Sequence, residues 1–509
     1  MRLLHLPLFA AIVTPIIVGF LLGIDLTYGN LPFTLTLFAF VSATHFIFQL
    51  LFGILNYLHN TKTIPKPTKT YSIQITGWKE DAPLFKRCLQ SVKGQTYPPN
   101  SISFCSDGNE KEDEYMVNIF QEVFPECEVI RYATIPTTET VRTDHRPIFC
   151  VTQPHKGKRH AMHTQMLMHI HTNNDYIMFV DSDTILGPDS LEQLVQRAEY
   201  EDVDAITGDV TIYNKDNLLA FLVSLKYWYA FNVERSAQSY FRVVGCLSGP
   251  FSLYRTSCIR TIRSEWIQQK FLGTECTFGD DRHLTNLVLK QGGSTYYTPS
   301  ALCYTDTPTT IRRFITQQTR WTKSFIREYL INFGWFKRKQ LWLVYDMNFM
   351  QIYGLILSGY IIYLLTQLDF EVFMLFLMAV LGATALRALY ATALSRNPDH
   401  VVFILYSYLY LLVIIPIKFW GLLTINNTSW GTGNRLIKTS AYIDTIPVVL
   451  WASGVISCVG ISCRTITRNS VIYAGINAGA TLFALLYYGI IARRRRNDVQ
   501  TYLFEQTVV

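Results

Sequence analysis

Two carboxylates two positions apart, Asp181-Ser-Asp183, follow directly on the apolar run 176–180. β-Branched and aromatic residues in a run of that length predict a buried strand. Both side chains then leave the strand's end on one face. Oxygen donors at such a place suit a hard divalent cation, Mn²⁺ or Mg²⁺, which keeps other coordination positions for water and phosphate. The strand ends of an α/β sheet are also where ligands bind. D-x-D alone is common in loops, so its weight rests on the segments that must share its substrate.

The run 71–75 passes through Gly77 into Glu80-Asp81, and 101–105 ends in Ser106-Asp107-Gly108. Either is an ordinary turn by its residues. At strand ends, each can also hold a nucleoside, with Asp107 on a uracil or ribose edge. Lys156-Gly-Lys-Arg159 precedes a helical stretch at 161–171. Lys158 beside a glycine turn and a helix N-terminus suits a diphosphate, or else forms a solvated basic loop. Gly245-Cys-Leu-Ser-Gly-Pro-Phe-Ser-Leu-Tyr-Arg255 reads as backbone packed against a ligand, or as a sheet-edge turn. Asp281, in Gly279-Asp-Asp-Arg282 at the start of a helical stretch, is the candidate general base for an acceptor hydroxyl, with Asp280 beside it disfavouring a second charge; capping is the plainer reading. Gln317, Arg320 and Trp321 share one helix face. An amide, a guanidinium and an indole there can read hydroxyls, phosphate and sugar faces. Trp430-Gly-Thr-Gly-Asn-Arg435 is a glycine-rich loop whose Trp430 and Arg435 can close over a nucleotide.

The elements that position these residues follow from patterning. Short apolar runs at 71–75, 101–105, 176–180 and 203–206 alternate with helical stretches, which predicts a mostly parallel sheet. Charged residues make up only 16% of the 509 residues, against about 25% in soluble proteins, so a membrane part is expected beside the soluble one. Apolar segments at 7–23 and 32–57 form an N-terminal hairpin, and Lys62, Lys66 and Lys69 put its ends in the cytosol. Further segments lie at 348–367, 372–394, 401–423, 442–463 and 471–491. Four spans, with 401–423 interfacial or re-entrant, keep Arg493–Arg496 inside; five would carry them outside. The net charge of +7 suits anionic lipid or an anionic substrate and does not indicate nucleic acid. The ten cysteines form no C-x-x-C, and the five histidines from His155 to His171 are irregularly spaced. Neither pattern predicts a zinc site or a disulfide framework.

Taken together, Asp181-Ser-Asp183, Ser248-Gly-Pro250, Gly279-Asp-Asp-Arg-His-Leu-Thr285, Gln317-Gln-Thr-Arg-Trp-Thr-Lys-Ser324 and Trp430-Gly-Thr432 resemble the processive inverting β-glycosyltransferases: cellulose, chitin and hyaluronan synthases. Within them the wording is most similar to class I hyaluronan synthase. Thr76-Gly-Trp-Lys-Glu80 departs from the Ala-Tyr-Asn-Glu type of loop often found there. The resemblance implies a GT-A-like cytosolic glycosyltransferase domain (66–308) inserted in an α-helical membrane domain of about six transmembrane helices plus interfacial helices. The remaining parts would be an N-terminal hairpin (1–60), interfacial amphipathic helices with QxxRW (309–340), a transmembrane pair (341–396), an interfacial segment with the WGTGNR gating loop (397–440), a second pair (441–493) and a polar cytosolic tail (494–509).

By the same likeness, Glu80, Asp107, Lys158, Asp181, Asp183, Trp430 and Arg435 bind UDP, with Asp183 on Mn²⁺ or Mg²⁺. Asp281 is the base. Gln317, Arg320, Trp321 and Cys276 bind the acceptor. The implied partners are UDP-GlcNAc, UDP-GlcA, nascent hyaluronan and membrane lipids, with no nucleic acid and no obligate protein partner, at the plasma membrane. Chitin synthesis, another processive polymer, and a nucleotide-binding transporter or receptor are the competing readings.

Overall fold

The computed structural model describes residues 33–336, 341–427 and 443–506. Apolar, β-favouring runs separated by glycine and polar turns form strands β1 (Tyr71–Gly77), β2 (Ser101–Ser106), β3 (Glu128–Arg131), β4 (Ile148–Thr152), β5 (Tyr176–Asp181), β6 (Ile185–Leu186), β7 (Ala205–Ile212), β8 (Phe251–Arg255), β9 (Lys270–Phe271), β10 (Thr274–Glu275) and β11 (Thr295–Thr305). One sheet has the order β3-β4-β2-β1-β5-β8-β7-β11-β6, and β9 and β10 pair separately. β1 lies between β2 and β5, parallel to both. Every residue of β1 and β2 is buried, as expected where helices cover both faces of a sheet.

Register decides where the chemistry can be. Thr76 pairs with Asp181, Gly77 with Ser106, and Ser106 with Thr152. The loops that begin at Trp78, Asp107, Gln153 and Ser182 therefore leave one edge of the sheet side by side.

The parallel expectation holds from β3 to β5. Beyond β5, β8 runs antiparallel between β5 and β7. The 245–255 stretch is thus not a sheet-edge turn: its second half is an interior strand, in which Phe251-Ser-Leu-Tyr254 is fully buried. Pairing of Val180 with Phe251 sets Ser248-Gly-Pro250 beside Asp181.

The helix expected over 161–171 runs Lys158–His169, starting at Gly157, whose φ of +102° suits glycine. A single helix, Ile311–Phe336, carries the Gln317–Trp321 face. Helices Leu341–Gln367, Phe370–Ser395, Pro398–Leu423, Ile446–Thr465 and Arg468–Arg495 are each long and apolar enough to cross a membrane. Phe33–Asn60 is the second arm of the expected hairpin; the first arm, 7–23, lies outside the described residues.

Pro398–Leu423 has a distinctive setting. His400 packs on Trp228 at 4.4 Å between ring centroids. At the other end, Gly421 approaches the Ile311–Phe336 helix so closely that a Cβ there would lie 2.8 Å from Thr322 Cγ2. Both ends of this segment thus touch helices of the catalytic side. The last helix runs on into the polar tail as far as Gln506, since no proline or glycine interrupts 490–506.

Candidate active site

β5 delivers Asp181, and a tight turn, closed by Thr184 N–H donating to the Asp181 carbonyl at 3.1 Å, presents Asp183 two residues on. Lys158, at the start of its helix, donates to the Asp181 carboxylate. Burial lowers the lysine's proton affinity, but Asp181, with Asp280 and Asp281 behind it, outweighs burial and holds the ammonium above the ordinary lysine value. Burial and the carboxylates of Asp181, Glu80 and Asp306 raise Asp183 above the usual carboxylate range, with Lys158 opposing. Asp183 and Glu80 therefore share one electrostatic neighbourhood. The Glu80 carboxylate also accepts from Trp78 N–H at 3.2 Å.

Asp107, only 2% exposed, accepts from the backbone N–H of Lys156 at 3.1 Å and of Gly157 at 2.8 Å. Its Oδ2 is also 2.8 Å from His155 Nδ1. Its carboxylate thus shapes the basic loop. His155 in turn stacks on Trp78, 3.9 Å between centroids and 14° between planes. This flat wall over the strand ends is a feature that the sequence reading missed; the signal was Trp78 in the turn after β1 and a histidine in the turn after β4.

Asp281 sits in the first turn of helix Asp280–Lys290. Its Oδ1 accepts from Arg282 N–H at 2.8 Å, and its Oδ2 faces the Cys246 thiol at 3.7 Å. The deciding geometry lies at Gly249. A Cβ on that residue would stand 3.7 Å from Asp181 Oδ2 and 3.7 Å from Asp281 Oδ2. The two carboxylates therefore face one space, no wider than twice that distance, floored by backbone without a side chain. Cys246 is a further residue missed in sequence, although its loop was singled out.

Asp280 has a different task from its neighbour. Arg159 Nε donates to Asp280 Oδ1 at 2.5 Å, both side chains being buried, and Trp266 Nε1 donates to the Asp280 carbonyl at 3.0 Å. The expected charge repulsion within the Asp280–Asp281 pair is thus offset by a guanidinium. Asp280→Ala leaves Arg159 buried and unpaired and is expected to cost about 3–5 kcal/mol. A thermal unfolding midpoint equal to that of the unsubstituted protein would refute this.

Gly279 precedes this helix with φ +87°, and a Cβ on it would lie 2.0 Å from Ser324 Oγ. The helix of Asp281 is thereby pressed onto Ile311–Phe336. Buried Glu328 ties the two further, accepting from His283 Nδ1 at 3.0 Å and Asn286 Nδ2 at 2.7 Å. About one turn before Ser324 on that helix, Trp321 is 39% exposed and lies 6.2 Å from Tyr227. Tyr227 is within electrostatic range of both Arg320 and Asp183. Among the described residues the buried Gln317 Oε1 has no hydrogen-bond partner. Cys276, 4% exposed, sits next to Arg327, covered rather than open. Trp430 and Arg435 lie outside the described residues.

A glycosyltransferase like family 2 model matches residues 67–324. Hyaluronan synthase 2 of Xenopus laevis is 35% identical over 486 residues, covering 89% of this chain and 87% of that protein. The chain belongs to the hyaluronan synthases. Hyaluronan synthase 3 of Homo sapiens is 34% identical, over 90% of this chain and 89% of its own length. Among solved structures, a mannosyltransferase from Pyrobaculum calidifontis in complex with GDP-Man and Mn²⁺ matches with a TM-score of 0.40 and 14% identity, over 84% of this chain and 96% of that one. As a hyaluronan synthase the chain is a glycosyltransferase, with the GT-A-like mixed sheet described above and membrane-spanning helices that make it an integral membrane protein.

The residues at the end of β5 fit a divalent cation. Asp183 is raised above the usual carboxylate range first by burial and then by Asp181, Glu80 and Asp306 against Lys158; a cation would relieve both the burial of its charge and the crowding of carboxylates. Among the described residues no group of three or more His, Cys, Asp or Glu is gathered to hold a metal. Carboxylate oxygens of the kind Asp183 offers suit Mg²⁺-type ions, whose remaining positions go to substrate phosphate and water.

Proposed function

We propose that this hyaluronan synthase transfers GlcNAc and GlcA alternately from UDP-sugars to a growing chain, with inversion to β-linkages. The shared space between Asp181 and Asp281 over Gly249 carries this reading. UDP lies on the side of Asp181, Asp183, Lys158 and Glu80, along the loop shaped by Asp107. Asp281 accepts the acceptor hydroxyl's proton, and the freed oxygen attacks the anomeric carbon from the face opposite UDP. A Mn²⁺ or Mg²⁺ ion held by Asp183 would offset charge on the departing diphosphate. Lys158 neutralises the same region and keeps the donor oriented.

Gln317, Arg320 and Trp321 receive the acceptor end, and Trp430 and Arg435 belong to a loop that closes the nucleotide site. The polymer leaves through the chain's own membrane helices, from a catalytic domain on the cytosolic side of the plasma membrane. The contacts at both ends of Pro398–Leu423 support an interfacial or re-entrant segment there.

Reconstitution in lipid with both UDP-sugars and Mn²⁺ tests this. Polymer that requires both donors and is cut by hyaluronidase is expected; polymer from UDP-GlcNAc alone, cut by chitinase, would replace the reading. Trp321→Ala removes the sugar platform. It is expected to lower polymer formation by about fivefold or more, since base or sugar stacking on an aromatic ring is worth on the order of 1 kcal/mol or more. Polymer yield per enzyme measures this, and full yield would remove Trp321 from the acceptor site.

A further inference from the structure

The loop that carries Gly249 is held by side chains before β8 begins. Gly245 N–H donates to Gln238 Oε1 at 3.1 Å, the Cys246 carbonyl accepts from Arg235 Nε at 3.1 Å, and Leu247 N–H donates to Thr285 Oγ1 at 3.0 Å. A turn follows, closed by Phe251 N–H donating to the Ser248 carbonyl at 3.1 Å, and Gly249 stands inside it. The height of Gly249 between Asp181 and Asp281 thus depends on where residues 245–247 are fixed.

Thr285 differs from the other two anchors, because it belongs to the helix of Asp281. Its hydroxyl donates to the Asp281 carbonyl at 2.7 Å. A helical threonine often turns back in this way onto the carbonyl four residues earlier. Here the oxygen is used twice more. It accepts from Leu247 N–H, and the Tyr254 hydroxyl of β8 lies 3.3 Å away. With the threonine proton committed to Asp281, Tyr254 is the donor of that pair. A hydroxyl offers one donor and two acceptor positions, and all three are filled. Thr285, Leu247 and Tyr254 are fully buried, so loss of the hydroxyl leaves polar groups of three elements unpaired.

One oxygen atom therefore joins the helix of Asp281, the floor loop and β8. The Cys246 thiol, next to Leu247, faces Asp281 Oδ2 at 3.7 Å. A shift of Leu247 thus reaches the carboxylate from the loop side as well as through the helix.

We propose that Thr285 is a positioning residue for sugar transfer. Its hydroxyl holds the floor at Gly249 and the carboxylate of Asp281 at a fixed separation, acting through Leu247 on one side and the Asp281 backbone on the other. The role rests on the reading of Asp281 as proton acceptor.

The full chain in lipid nanodiscs with both UDP-sugars tests it. UDP release gives kcat and the KM of each donor for the unsubstituted protein and for Thr285→Val, Thr285→Ser, Tyr254→Phe and Asp281→Asn. Thr285→Val keeps the shape and removes the link. Its kcat is expected to fall at least tenfold, since displacing a reacting group by about 1 Å costs on the order of 10²-fold, while KM stays within about threefold because Lys158 and Asp183 stand on other elements. Thr285→Ser keeps the hydroxyl and should retain kcat within about threefold. Tyr254→Phe loses a buried hydrogen bond at the same atom but leaves the link from Leu247 through Thr285 to Asp281. It should also retain kcat within about threefold, although its unfolding midpoint falls. Thr285→Cys, a milder change, should lose kcat at least threefold and decides the matter if the valine variant does not fold. Unchanged kcat in the valine or cysteine variant, an equal loss in Thr285→Ser or Tyr254→Phe, or a rise in KM alone would overturn the positioning role. With Asp281→Asn inactive, any of these leaves the role of Asp281 intact; full activity of Asp281→Asn would overturn both.

Discussion

Asp281→Asn is expected to lower sugar transfer by about 10²–10⁴-fold, the usual contribution of a general base. The fold should survive. The asparagine keeps an Oδ1 that accepts from Arg282 N–H, as Asp281 does now, and nothing in the buried Arg159–Asp280 pair changes. UDP affinity should stay within severalfold, because the proposed diphosphate side consists of Lys158 and the β5 carboxylates instead. UDP release from both donors and calorimetric titration with UDP and Mn²⁺ read the two effects separately. Transfer at the original rate would strip Asp281 of its role; UDP affinity lost together with transfer would move that role to the donor.

Gly249→Val should inactivate the enzyme by a different route. Gly249 is absent from the residues at positive φ, so a side chain is tolerated by its backbone. Its Cβ would meet the Asp181 and Asp281 oxygens at ordinary contact distance. The γ-methyls would then stand in the space proposed for the donor sugar. Displacing a reacting group by about 1 Å costs on the order of 10²-fold, which is the loss expected here in kcat/KM. The unfolding midpoint should remain within a few degrees of the parent's, which distinguishes blockage from misfolding. A valine variant that is both stable and fully active would show that the sugar lies elsewhere.

Much of this was legible before any coordinates. The run 176–180 is nearly the whole of β5, and Asp181-Ser-Asp183 does leave its end. The Gln317, Arg320 and Trp321 spacing falls on one continuous helix. What sequence could not supply was adjacency across long separations. Gly249 lies between Asp181 and Asp281 because β8 inserts antiparallel next to β5, and a pairing partner is not written in a strand's own residues. The separate duties of Asp280 and Asp281 depend on Arg159, more than a hundred positions away. The aromatic pair Trp78–His155 likewise joins two turns that only the sheet register brings together.

The seating of Gly279 on Ser324 and the clamp at Glu328 have a mechanical consequence. The helix of Asp281 and the helix of Trp321 share one frame, packed so closely at Gly279 that a side chain there would meet Ser324, and cross-linked by buried Glu328. The catalytic domain is therefore closer to an anvil than to a jaw. Under the proposed mechanism it is then the product that must step forward by one sugar after each bond, which would tie the pace of synthesis to how readily the polymer moves on.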